Sequence, residues 1–142
     1  MLVRLLYASR AVASLTTENV DSILEESRSH NVPHGITGML CFSNDLFIQV
    51  LEGSRKNVSD VYNRIVKDKR HSDIQLLIFE EIAERRFGNW TMGQVNLARV
   101  NPSLLLKYSE TPVINPFDCS GRATLALLDE LIANGAVIGR AP

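Results

Sequence analysis

Only two cysteines and one tryptophan occur among the 142 residues. Cys41 and Cys119 are far apart and form no CxxC pair, so neither zinc-ligand spacing nor a disulfide framework is on offer. In a cytosol that keeps thiols reduced, both are expected to be small hydrophobes, with Cys41 buried in an apolar strand. The chain also lacks an excess of either charge. Fifteen Lys and Arg face sixteen Asp and Glu, a net charge of -1, which provides no basic field for nucleic acid or anionic lipid. No segment approaches the ~20 apolar residues of a membrane helix, and Arg4 and Arg10 interrupt the amino terminus where a signal peptide needs an uncharged apolar core. These absences point to a cytoplasmic protein without membrane or nucleic-acid partners.

What is present suffices for one folded domain. Hydrophobic residues make up 45% of the chain and charged residues 22%, ordinary values for a globular protein. A chain of this size buries roughly 68% of the surface exposed when unfolded. There is no internal repeat and no low-complexity tract.

Apolar spacing marks the elements. Residues 2–8 (LVRLLYA) read as a strand, and Val20, Ile23 and Leu24 after Thr16 and Thr17 as a helix. ITGMLCF (36–42) and LFIQVL (46–51), joined through Ser43, Asn44 and Asp45, predict a hairpin of two buried strands. Val58, Val61, Tyr62, Ile65 and Val66 follow helical spacing, with Ser54 or Asn57 as cap. KDKRH (67–71) reads as the positive end of that helix. Strands over 73–82 and 90–97 complete a βαββαββ order. Such an order predicts an α+β, ferredoxin-like sheet with two helices on one face. The other face needs a cover, for which 102–108 and 120–134 supply short helices around the proline-containing loop TPVINPFD.

Several polar residues occupy apolar places. Val20, Leu24, Ser27 and Asn31 form one helical stripe, so Ser27 and Asn31 lie where a ligand in a crevice would sit; back-bonding and a helix end explain them equally well. Gln49 shares a strand face with Phe47 and Leu51. An unpaired amide there costs about 1 to 3 kcal/mol, so it requires partners, which backbone groups could also provide. Tyr7 sits in a central strand and its hydroxyl needs a partner too. A Tyr7 to Gln49 hydrogen bond satisfies both, and Tyr7 is a neutral phenol able to release an electron and a proton together. Arg70 and His71 either complement the helix dipole or meet a phosphate or ribityl chain.

LLYASR (5–10), SRSHN (27–31), GITGML (35–40), FIQVLEG (47–53), KRH (69–71) and RRFGNWTM (85–92) stand in the order in which similar pieces occur in the BLUF family of blue-light sensors. The chain resembles that family over about residues 1–98. The resemblance implies a flavin, FAD with FMN or riboflavin as alternatives, whose ring lies between the two helices. Tyr7 and Gln49 then meet its N5 and O4 edge, and Asn31 bonds its pyrimidine part. Ile23 and Ser27 line the same helix, Phe47 packs nearby, and Arg70 and His71 hold the ribityl and phosphate side. It implies further that light moves an electron and a proton from the tyrosine and leaves the Gln49 amide rearranged. Trp90 and Met92 would relay the signal, both on one side of the fifth strand if that strand is regular.

The resemblance also implies a photoreceptor rather than an enzyme. It signals to a separate effector protein, with residues 99–142 as a helical extension for output or homo-oligomerisation. An acylphosphatase-like enzyme leaves Gln49 unexplained, and a non-photoactive small-molecule-binding regulatory module gives Tyr7 no task.

Overall fold

The structure, a computed structural model, describes residues 1–13 and 15–140. Its strands are β1 (Leu2–Ala11), β2 (Thr37–Ser43), β3 (Leu46–Ser54), β4 (His71–Ile82), β5 (Trp90–Asn96) and β6 (Ile138–Arg140). They form one sheet in the order β4-β1-β3-β2-β5-β6. The helices are α1 (Thr17–Asn31), α2 (Arg55–Lys67), α3 (Pro102–Leu106) and α4 (Gly121–Ala133). Strand β1 pairs antiparallel with β3 and β4, and β2 with β3. Strand β5 lies parallel to β2. The fold is α+β with the expected ferredoxin-like core.

Alternation in the strands sorts side chains into two cores. Val3, Leu5 and Tyr7 of β1 and Phe47 and Leu51 of β3 pack against Val20 and Leu24 of α1 and Val58 and Val61 of α2. Leu6, Ile48 and Val50 point the other way, onto Leu105 of α3 and Leu125, Leu127, Leu128 and Leu131 of α4. Burying each of these aliphatic side chains contributes about 1.5 to 3 kcal/mol, so neither sheet face could stay bare. The C-terminal helices cover the second face, as the apolar stripe of 120–134 requires.

Local chemistry sets the boundaries. The Thr16 hydroxyl accepts from the backbone N–H of Asn19 at 3.1 Å and starts α1. Ser54, not Asn57, caps α2 by accepting from the Asn57 N–H at 3.1 Å. The hairpin between β2 and β3 turns at Asn44, whose φ is +51°, a left-handed conformation that asparagine tolerates. At Gly38 a Cβ would lie 1.9 Å from the Val50 carbonyl oxygen, so β2 can approach β3 only with a glycine there. Glu52, fully buried, receives Arg4 Nη2 at 2.7 Å and the backbone N–H groups of Arg86 and Phe87 at 3.0 and 2.6 Å. This carboxylate pins the loop that leads into β5.

Two expectations need correction. Helix α2 stops at Lys67, because Asp68 turns to extended backbone (φ -77°, ψ 119°). Its last turn carries Arg64 and Lys67, and His71 opens β4 instead of closing the helix. Strand β6 was not anticipated; it pairs with β5 at Trp90 and Gln94 and skips the residues between.

Both cysteines are free, and burial pushes the Cys41 thiol up to about 12, where it stays protonated and inert. Among the described residues no helix is long and apolar enough to cross a membrane, and no cluster of His, Cys, Asp or Glu could hold a metal ion.

Candidate functional site

A cavity of about 340 Å³ opens between α1, α2 and the sheet. Tyr7, Ile23, Ser27, Asn31, Gln49, Arg70 and His71 all line it, so seven residues singled out from sequence converge on one space. Phe47 borders an adjoining cavity of about 230 Å³ together with Ile23 and Arg70, its ring centroid 4.9 Å from that of His71. A larger cleft of about 710 Å³ lies near the start of α1 and the end of β5, but no tyrosine, histidine or cysteine lines it among the described residues.

At the inner end of the cavity three side chains form a chain of hydrogen bonds. The Tyr7 hydroxyl donates to Gln49 Oε1 at 2.5 Å, and Gln49 Nε2 donates to Met92 Sδ at 3.4 Å. Both partners that the sequence demanded for Gln49 are therefore side chains, one an oxygen donor and one a soft sulfur acceptor. Burial, with smaller contributions from Tyr62 and Asp68, raises the Tyr7 pKa far above the usual phenol value. Tyr7 is therefore a neutral phenol across the physiological range. Its ring lies 5.8 Å from that of Tyr62.

On α1, Asn31 is 2% exposed, yet its amide enters no hydrogen bond among the described residues; its backbone carbonyl accepts from the Ile36 N–H. Asn31 lines the cavity, and its amide has one donor end and one acceptor end to offer there. Ser27 likewise does not back-bond to its helix.

The mouth is cationic. Arg70 is held by Asp68 at 2.6 Å and Glu26 at 3.1 Å, and the Arg70 bond holds the Asp68 carboxyl below its usual range. Arg64 and Lys67 line the same cavity and have no carboxylate partner among the described residues. They were missed by sequence reading because a basic last turn is expected of any helix. Burial lowers the His71 pKa, keeping the ring neutral, with Nδ1 2.9 Å from Ser9 Oγ. An amide edge, a tyrosine with its glutamine, and free cations at the opening fit a flavin: Asn31 would hold the pyrimidine part of the ring and Arg64 and Lys67 the phosphates.

Trp90 and Met92 do not share a side. Met92 is fully buried in the core on the helical face, whereas a Cβ at Gly93 would meet the Trp90 ring at 2.7 Å and Val137 at 2.6 Å. The indole is folded over Gly93 beside Val137. The irregular register of β5 against β6 removes the alternation on which the expectation rested. The indole N–H is buried without a partner. Sequence reading also missed Arg28 of α1, whose Nη2 and Nε donate to the Met92 carbonyl at 2.8 and 3.3 Å.

A family model described as sensors of blue light using FAD, BLUF, matches residues 2–93. The photoactivated adenylate cyclase subunit beta of Euglena gracilis is 33% identical over 92 residues, covering 64% of this chain and 11% of that protein. This chain thus spans about a tenth of the length of the Euglena relatives it matches. The solved structure of BlsA in its photo-activated state is 31% identical with a TM-score of 0.80, over 93% of this chain and 95% of that one. The dark-state structure of BlrB, a BLUF protein, is 30% identical with a TM-score of 0.78, over 94% and 96%.

Proposed function

The chain belongs to the BLUF family of blue-light sensors using FAD, and from that premise we propose how its own residues perform the sensing. FAD supplies the absorption of blue light and the excited-state acceptor. Tyr7 is the electron and proton donor, and Gln49 is the switching amide. The observation that carries this reading is the hydrogen-bond chain from Tyr7 through Gln49 to Met92.

Gln49 has one end that accepts and one that donates. With Oε1 committed to the Tyr7 hydroxyl and Nε2 to the Met92 sulfur, the two ends are assigned in the resting state. Once the Tyr7 proton has left, Oε1 loses its donor and the amide is free to exchange ends. The sulfur is a weak acceptor, so little holds Nε2 in place. A difference of a few kcal/mol between the two arrangements is enough for a reversible switch. Asn31 and Ser27 orient the ring, Ile23 and Phe47 pack near it, and Arg64, Lys67, Arg70 and His71 attend the ribityl and phosphate end.

The light-dependent output passes to an effector protein. The similar segment of the Euglena relative lies within a photoactivated adenylate cyclase subunit, which supports a protein effector. Residues 99–142, which carry α3 and α4 on the sheet face opposite the cavity, are proposed as the output or self-association surface, in a cytoplasmic protein that forms homo-oligomers.

The decisive experiment is spectroscopic. The purified protein, reconstituted with FAD, is expected to be yellow and to show a small reversible red shift of its flavin band after blue light. A preparation that takes up no flavin, or takes it up and shows no shift, overturns the reading.

A further inference from the structure

The bond from Arg28 to the Met92 carbonyl has no part in binding the cofactor, yet it joins the two elements that meet at the switch. Arg28 lies on α1 between Ser27 and Asn31, which face the cavity. Its guanidinium places two donors on one mid-strand carbonyl, at 2.8 and 3.3 Å. That carbonyl belongs to the residue whose sulfur accepts from Gln49. Strand β6 skips this stretch of β5, so a side chain from the helix stands in where a neighbouring strand would otherwise help hold the backbone.

We infer that Arg28 is a positioning residue for the photoswitch: it latches β5 to α1 and so holds the Met92 sulfur against Gln49 in the dark state. This rests on the photoreceptor reading above. The physical basis is that a charge-assisted hydrogen bond is about twice as strong as a neutral one, whereas the contact it secures, N–H to thioether, is weak. The weak contact persists because the strong one fixes the strand beneath it. The same latch gives the switch a route outward. When Gln49 exchanges its ends and lets go of the sulfur, the bond from Arg28 to the Met92 carbonyl remains, and any shift of β5 pulls directly on α1 through it.

The test uses the FAD-loaded full chain carrying ¹³C-methyl methionine, in which only Met1, Met39 and Met92 give signals. In Arg28→Ala the dark-state Met92 methyl resonance is expected to shift or split while the Met39 signal stays put. Dark recovery after a blue-light flash is expected to slow about fivefold or more, because Met92 must find its place without the latch. Arg28→Lys, which restores a charged donor, is expected to recover at least part of both signals; a purely structural loss would not be rescued selectively. If Arg28→Ala fails to fold, Arg28→Gln gives the same two readings with a neutral donor of similar reach. An unchanged Met92 methyl signal together with recovery within about twofold of the parent overturns the latch. A parent protein without any light-induced shift overturns the photoreceptor reading instead, and the dark-state methyl comparison still decides whether Arg28 positions Met92.

Discussion

Tyr7 and Gln49 are register partners across β1 and β3, and their side chains are hydrogen-bonded to each other at 2.5 Å. The pairing of the two strands therefore places the phenol beside the amide without help from any loop. Removing the hydroxyl leaves Gln49 Oε1 buried and unpaired, which costs about 1 to 3 kcal/mol. Tyr7→Phe is thus expected to fold with lowered stability, to keep FAD, and to lose the reversible spectral shift. Gln49→Leu is expected to lose the shift as well. A normal photocycle in either variant, recorded by absorbance before and after blue light, would remove that residue from the switch.

Met92 and Trp90 make opposite predictions because they lie on opposite sides of β5. Met92→Leu conserves volume, so it is expected to cost less than about 1.5 kcal/mol of stability, yet it removes the sulfur that accepts from Gln49. Its dark recovery rate should differ from that of the parent by about threefold or more. Trp90→Phe, whose indole is folded over Gly93, should leave recovery within about twofold. Flash photolysis of the two variants side by side decides the matter, and a larger effect at Trp90 would reverse the assignment.

Much of this site was legible because strand alternation is strict and helical spacing nearly so. Tyr7, Phe47 and Gln49 fall on one face by parity, and Ser27 and Asn31 on the stripe of Val20 and Leu24 by period, so their convergence needed only the topology. The partner of Gln49 Nε2 was not legible. It depends on β5 lying beside β2 in parallel, a contact between distant segments, and on an irregular strand in which Gly93 leaves room for the Trp90 ring to fold over. Arg28 reads as one more solvated charge, and β6 is a three-residue strand whose pairing with β5 leaves no periodic trace. The α2 boundary was misjudged because KDKRH has the charge of a helix end but Asp68 has already left helical geometry.

Glu52 should be the most sensitive polar position outside the cavity. Its carboxylate is fully buried, paired with Arg4, and accepts from two backbone N–H groups of the loop before β5. Removing one partner of such a pair costs about 3 to 5 kcal/mol because the other charge stays buried. Glu52→Ala is expected to lose that much by urea denaturation. A loss under about 1 kcal/mol would mean that Glu80, which also holds Arg4, compensates fully.

The stability of the domain should fall on mild acidification. Burial lowers the His71 pKa in the folded state, while the unfolded chain takes up its proton near pH 6.5. Below that pH the unfolded state binds more protons, so the contribution present above about 6.5 is lost as pH falls through the folded value. Denaturation midpoints at pH 7.5 and 5.5 should therefore differ more in the parent than in His71→Gln. Equal slopes in the two proteins would show that His71 does not carry the effect.

Asn31 separates folding from recognition more cleanly than any other residue of the cavity. The residue is 2% exposed and its amide makes no hydrogen bond among the described residues, so its replacement breaks none. Asn31→Ala is accordingly expected to leave the stability of the flavin-free chain within about 1 kcal/mol of the parent. With FAD present the same change removes a buried donor and acceptor from the ligand, a loss of about 1 to 3 kcal/mol, or roughly 5- to 150-fold in affinity. Fluorescence titration with FAD reads the second quantity and denaturation of the apoprotein the first. If stability drops while affinity holds, Asn31 is a structural helix end and the recognition role assigned to it is wrong.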